Sequence, residues 1–345
     1  MRNTIFTNEE WTKALDCLQE TYKVIVPVKD GDFHSFRSID EGKKPDFTFR
    51  NTRLSPKFLV YPQSERMFEY ALENKSPEAM ILKEASKDYL PQAIVGIRPC
   101  DAHAFQIVRV NFDNREYRDP WWVQRFEETT LVGLGCNEPC STCFCASVGG
   151  GPFEENGLDV LLFDLGDSFL ARALSEKGET FLEKTGKESQ ASESALEKAE
   201  KLAAGAAEKI ASEVPTDSLR TKTVKEVFEA PFWEETAFAC INCGTCTYLC
   251  PTCWCFDIQD EVLGSAGDRI RNWDSCMFPL FTLHASGHNP RERKVQRVRQ
   301  RFMHKLKYYV DKYDKGVQCS GCGRCVQHCP VNIDIRQVFQ LVNNC

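Results

Sequence analysis

Eight cysteines in two identically spaced sets constrain this chain more than anything else in it. Cys240, Cys243, Cys246 and Cys250, followed by Pro251, read CxxCxxCxxxCP, and Cys319, Cys322, Cys325 and Cys329, followed by Pro330, repeat that spacing. Three closely spaced thiolates can wrap a compact loop around three corners of a cubane, while the fourth cysteine, displaced onto a following helix, reaches the neighbouring cluster. The spacing therefore predicts two [4Fe-4S] clusters with crossed ligation. Cys240, Cys243, Cys246 and Cys329 hold the first, and Cys319, Cys322, Cys325 and Cys250 the second. A structural zinc would instead call for paired CxxC knuckles presenting four ligands to one ion. Gly244, Gly321 and Gly323 fit close wrapping of a cluster, where a Cβ would obstruct the backbone, although an ordinary turn uses the same residues.

Cys319 follows Cys250 by 69 positions. That is too far for a compact ferredoxin in which one motif follows the other closely, so a helical insertion is expected between them. Asn289 reads as an N-cap with Pro290 at the first helical position, and Val295, Val298, Phe302, Leu306, Tyr309 and Tyr313 recur at helical spacing. The same stretch carries Arg291, Arg293, Lys294, Arg297, Arg299, Arg301, Lys305 and Lys307. These cations could offset cluster charge, dock an acidic redox partner, or simply form a solvated face. Such a domain resembles the α-helical ferredoxin type of succinate dehydrogenase iron–sulfur subunits and heterodisulfide reductase small subunits.

The chain has 345 residues, 18 cysteines and a formal net charge of -7 that thiolate-ligated clusters would make more negative. This balance argues against nucleic acid as a partner. No apolar run approaches the roughly 18 residues of a membrane span, and the start lacks the basic and apolar regions of an export signal. A cytoplasmic location is expected, and in a reducing compartment abundant cysteine points to metal rather than disulfides.

Three regions are expected. Residues 1–166 alternate a helical pattern (NEEWTKALDCLQETY) with short apolar runs, YKVIVPV, KFLVY, AIVGI, TLVGLG and DVLLFDLG, which predicts an α/β domain on an open sheet. Residues 167–228, rich in Ala, Glu, Lys and Ser, read as a helical linker. Residues 229–345 form the mostly α, cluster-bearing domain.

The α/β region has cysteines of its own. Cys100 lies in AIVGIRPCDAHAF, and Cys136, Cys140, Cys143 and Cys145 lie in GLGCNEPCSTCFCASVGGGP, each segment an apolar strand running into a cysteine loop. Neighbouring parallel strands would open both loops onto one crevice. Asp101 reads as an N-cap of the following helix, beside whose N-terminus Cys100 would favour the thiolate. Five thiols then compete for four positions at a third iron–sulfur cluster, [4Fe-4S] or [2Fe-2S]. Cys143 and Cys145 flank Phe144, so both face one site only if the loop is irregular. Gly133 and Gly135 begin a dinucleotide pattern that Glu138 breaks, and no phosphate loop is present.

GIRPCDAHA, CFCASVGGGP, RNWDSC at 271–276 and the two terminal motifs together resemble the β subunit of cytoplasmic sulfhydrogenases and the dicluster electron-transfer subunit of anaerobic sulfite reductases. The resemblance spans nearly the whole chain apart from the Ala/Glu-rich linker. It implies an electron relay between an NAD(P)H-linked flavoprotein and a catalytic partner that is a hydrogenase or a sulfur or sulfite reductase. It also implies Cys100, Cys136, Cys143 and Cys145 as ligands, with Cys140 the spare. Cys253, Cys255 and Cys276 do not match the repeated spacing. They read either as an open cluster site, at which the chain itself would reduce sulfur, polysulfide or a disulfide, or as buried thiols packed near clusters.

Overall fold

The computed structural model describes residues 2–73, 79–87 and 89–345. Its strands are β1 (Asn3–Thr7), β2 (Lys23–Asp30), β3 (Phe33–Ser38), β4 (Ser64–Ala71), β5 (Lys83–Glu84), β6 (Gln92–Ile97), β7 (Thr129–Leu134), β8 (Val160–Asp164), β9 (Ser168–Ala173), β10 (Phe256–Leu263) and β11 (Ala266–Trp273).

The larger sheet has the order β1-β9-β8-β7-β6-β2-β3. Its centre, β2-β6-β7-β8, is parallel, and the edges pair antiparallel. Covered on both faces, the central strands read as nearly continuous apolar runs rather than alternating ones. Trp11, Leu15 and Leu18 of the helix Asn8–Leu18 pack on one face with Phe181 and Leu182 of the helix Glu176–Lys184. Ala102 and Phe105 of the helix Pro99–Phe112 pack on the other face with Ala199 of the helix Glu193–Glu208. The α/β expectation for the first half holds, as a mixed sheet.

Two boundaries differ from the sequence reading. The stretch 167–228 is not a free linker, because β9 sits inside the sheet between β1 and β8, and both of its longer helices pack on that sheet. Its alanines are what let the helix Glu193–Glu208 approach closely; Ala199 and Ala206 are buried. The insertion after Cys250 is not wholly helical either. It opens with the hairpin β10–β11, and β11 pairs antiparallel with β4 from the first half to give a second sheet, β10-β11-β4-β5. A buried cation ties these halves: Arg271 of β11 pairs with Glu65 of β4 at 2.5 Å and with Asp119.

Local chemistry explains the smaller departures. KFLVY is a 3-10 turn, Pro56–Leu59, because Ser55 caps it and Pro56 opens it. Asn289 caps no long helix; its side chain accepts from the Arg291 N–H at 2.9 Å and from the Thr282 hydroxyl at 2.8 Å, holding a turn. The helix begins at Lys294, passes through a π segment at His304–Tyr308, and ends at Tyr313. No helix among the described residues is long and apolar enough to cross a membrane.

Candidate iron–sulfur centres

The two motif loops share backbone conformations at matching positions. Gly244 and Gly323 take φ of 75° and 74°, and Asn242 and Gly321 take φ of 54° and 66°. Each loop then enters one short helical turn, Thr245–Tyr248 or Arg324–Gln327. The fourth cysteines cross over. Cys329 joins Cys240, Cys243 and Cys246 around one cavity, and Cys250 joins Cys319, Cys322 and Cys325 around another. Cys325 lines both, so the two cavities adjoin. Among the described residues no three His, Cys, Asp or Glu side chains are grouped to hold a single metal ion. The thiols instead face one another across cavities, as ligands of a multinuclear group do.

The walls suit such a group. A Cβ on Gly244 would come within 2.8 Å of the Phe278 ring, so the tight left-handed turn is available to glycine alone. Burial pushes the Cys246 thiol up to about 11 and the Cys322 thiol up to about 12, opposed by Arg301 and Arg324 respectively. Burial likewise raises Cys319, opposed by Lys305. Thiols this dry resist ionising by themselves, and metal binding is what converts them to thiolates.

Only part of the basic stretch is solvated. Arg297, Arg301, Lys305 and Lys307 are buried. The π segment carries Lys305 onto the wall of the Cys250 and Cys319 cavity, while Arg301, one turn earlier, lines that of Cys240 and Cys246. π turns of this kind often mark functional sites. Burial works against both charges; as thiolates, Cys250, Cys253 and Cys319 around Lys305 and Cys246 and Cys325 near Arg301 would hold them charged.

The first-half cysteines meet in space. β6 and β7 are parallel neighbours, and both cysteine loops leave their C-terminal ends. A register shift at Gly96 turns the chain into Arg98 and Pro99, and Cys100 sits in the first turn of the helix Pro99–Phe112. Asp101 is not the N-cap; Arg98 is, and its guanidinium donates to Gly135 O at 2.7 Å and Leu134 O at 3.2 Å, fixing the exit of the second strand. Cys145 is within electrostatic reach of Cys100, Cys136 and Cys143, and the Cys143 N–H donates to Cys140 O at 3.0 Å. The loop is irregular, and Phe144, between Cys143 and Cys145, points into the C-terminal core against Phe339.

Sequence reasoning missed the seam between this loop and the second motif. The Phe144 N–H donates to Gly321 O at 2.9 Å, and a Cβ on Gly321 would meet Cys145 Cα at 2.6 Å. Beside it, Arg324 makes a fully buried two-pronged pair with Asp101 at 2.6 and 2.7 Å, and donates to Thr52 O at 2.9 Å. The only signal in the sequence was a long cation placed between two motif cysteines where the first motif has Thr245.

Comparisons with known proteins agree with this geometry. Residues 239–333 match the family of 4Fe-4S dicluster domains, so the chain carries an iron–sulfur domain. Over its whole length the chain is similar to sulfhydrogenase 2 subunit beta of Pyrococcus furiosus, 29% identical across 99% of this chain and 98% of that protein. The resemblance to sulfhydrogenase β subunits is thus shown, and it includes the Ala/Glu-rich segment. No solved structure matches.

Proposed function

We propose that the chain is the electron-transfer subunit of a cytoplasmic oxidoreductase complex, relaying single electrons between an NAD(P)H-linked flavoprotein and a hydrogenase or a sulfur- or sulfite-reducing subunit. The observation that carries this reading is the crossing of Cys250 and Cys329 into each other's thiol set, around two cavities that share Cys325. In this reading Cys240, Cys243, Cys246 and Cys329 hold one [4Fe-4S] cluster, and Cys319, Cys322, Cys325 and Cys250 the other. Cys100, Cys136, Cys143 and Cys145 hold a third cluster, [4Fe-4S] or [2Fe-2S], with Cys140 spare. When bound, such clusters supply one-electron carriers whose potentials follow local charge, burial and hydrogen bonds to sulfur.

The chain's own residues set the order. Cys243 is exposed, so the first motif offers an edge that a partner can approach, whereas Cys319 and Cys322 are buried. The Phe144 to Gly321 bond and the Arg324–Asp101 pair hold the third thiol group against the second motif. Electrons would therefore pass from the first-half site through the buried motif to the exposed one, or in reverse. That the similar Pyrococcus protein is a sulfhydrogenase subunit supports a hydrogenase-type complex.

Two measurements test this. Anoxic purification from the native cell should bring down a flavoprotein and a catalytic subunit with the chain. Substituting Cys100 with serine should remove one EPR-active centre and leave the two motif centres intact; a variant that keeps all its iron sinks the third site.

A further inference from the structure

Of the cysteines outside the sets assigned so far, Cys17 and Cys345 are exposed, and the other three gather. Cys253 and Cys255 follow Pro251 on the turn leaving the first motif, and Cys276 follows β11. In the fold all three line one cavity of about 360 Å³. That cavity shares Thr252 and Lys305 with the cavity of the second thiol set, and Arg301 with that of the first. The Cys255 and Cys276 thiols lie close to each other, and the Cys253 N–H donates to Cys250 O at 3.4 Å.

The charge of the lining is one-sided. Arg291, Arg301 and Lys305 face the cavity, and among the described residues no Asp or Glu does. Lys305, 2% exposed, donates to neutral oxygens, Thr252 Oγ1 at 2.8 Å and Gln318 O at 3.2 Å. Arg301, 3% exposed, has a buried Nε with no hydrogen-bond partner among the described residues. Arg301 and Lys305 also line the motif cavities, and together with Arg291 they suit an anionic occupant of this one. A small oxyanion would explain the cations but not three converging thiols, and a redox disulfide would use only two of them. Soft sulfur donors facing an open, cationic space fit a cluster of iron and sulfide, whose complex with three thiolates is itself an anion.

We propose that this cavity binds a further iron–sulfur cluster through Cys253, Cys255 and Cys276, with its remaining corner toward His304. The Cys253–Cys250 contact would set it directly beside the cluster of the buried motif, as a branch from that centre. Among the described lining residues His304 is the one other side chain able to ligate iron, and its ring Nε2 lies 2.7 Å from the Gln300 amide nitrogen.

Native mass spectrometry of the full-length chain, purified without oxygen, counts clusters directly. The Cys255→Ala/Cys276→Ala double variant should weigh less than the parent by one cluster beyond the substitutions themselves. Acid-labile sulfide should fall in step, and the EPR signals of the two motif centres should be retained. An unchanged cluster count in that variant overturns the proposal. Should the buried Cys276 change prevent folding, Cys253→Ala/Cys255→Ala, on a turn, makes the same comparison. Absence of the motif signals from the unmodified chain would instead break the relay reading, so the two failures are separable.

Discussion

The two cysteine loops have the same spacing and nearly the same backbone, yet their surroundings are opposite. Ile241 is 62% exposed, whereas its counterpart Ser320 is 2% exposed. Asn242 takes a left-handed conformation with room for its side chain, whereas Gly321 takes it with another loop pressed where a Cβ would be. Thr245 is half-buried near the surface, and Arg324 is locked to Asp101. Spacing thus sets the loop's shape, while the residues between the cysteines decide whether that loop faces outward or the interior. In the proposed relay, one loop would be a terminal and the other a junction.

That contrast can be broken at Arg324. Replacing it with alanine strands the buried Asp101 carboxylate, and loss of one partner of a buried pair costs about 3–5 kcal/mol. The matching change, Thr245→Ala, should stay within about 0.5 kcal/mol. Denaturant unfolding of both holoproteins under anoxic conditions checks the difference.

Lys305→Met sharpens the comparison electrically. At an effective dielectric of about 20 and ~6 Å, one charge is worth roughly 3 kcal/mol, on the order of 100 mV for a single electron. Removing a cation disfavours the more negative, reduced form, so the potential of the junction centre should fall. The exposed centre should move much less, and an EPR-monitored redox titration reads both.

The smallest effect is expected at the left-handed positions. Gly321→Ala forces a Cβ against the Cys145 backbone, a cost of about 1–3 kcal/mol, comparable to overpacking a core. Asn242→Gly, in the exposed loop, should be within about 0.5 kcal/mol of neutral. Limited proteolysis of the loop around Cys145 should accelerate in the first variant only.

Much of this was legible in the chain. The apolar runs marked the central strands because burial on both faces leaves no polar alternation, and the repeated spacing marked the two cysteine loops. What sequence could not convey was pairing between distant segments. RNWDSC gives no sign that Arg271 will meet Glu65, nor does an Ala/Glu-rich composition separate a solvated helix from one resting on a sheet through its alanines. The basic stretch was similarly ambiguous, since a π turn and not the residue pattern brings Lys305 inward.

The pairing of β11 with β4 bears on how this protein can be cut. A fragment beginning near residue 229 would carry every cysteine of the repeated motif, yet it would present β11 with an unsatisfied edge and Arg271 without either carboxylate. Residues 239–333, although recognisable as a unit of inheritance, are not a unit of excision.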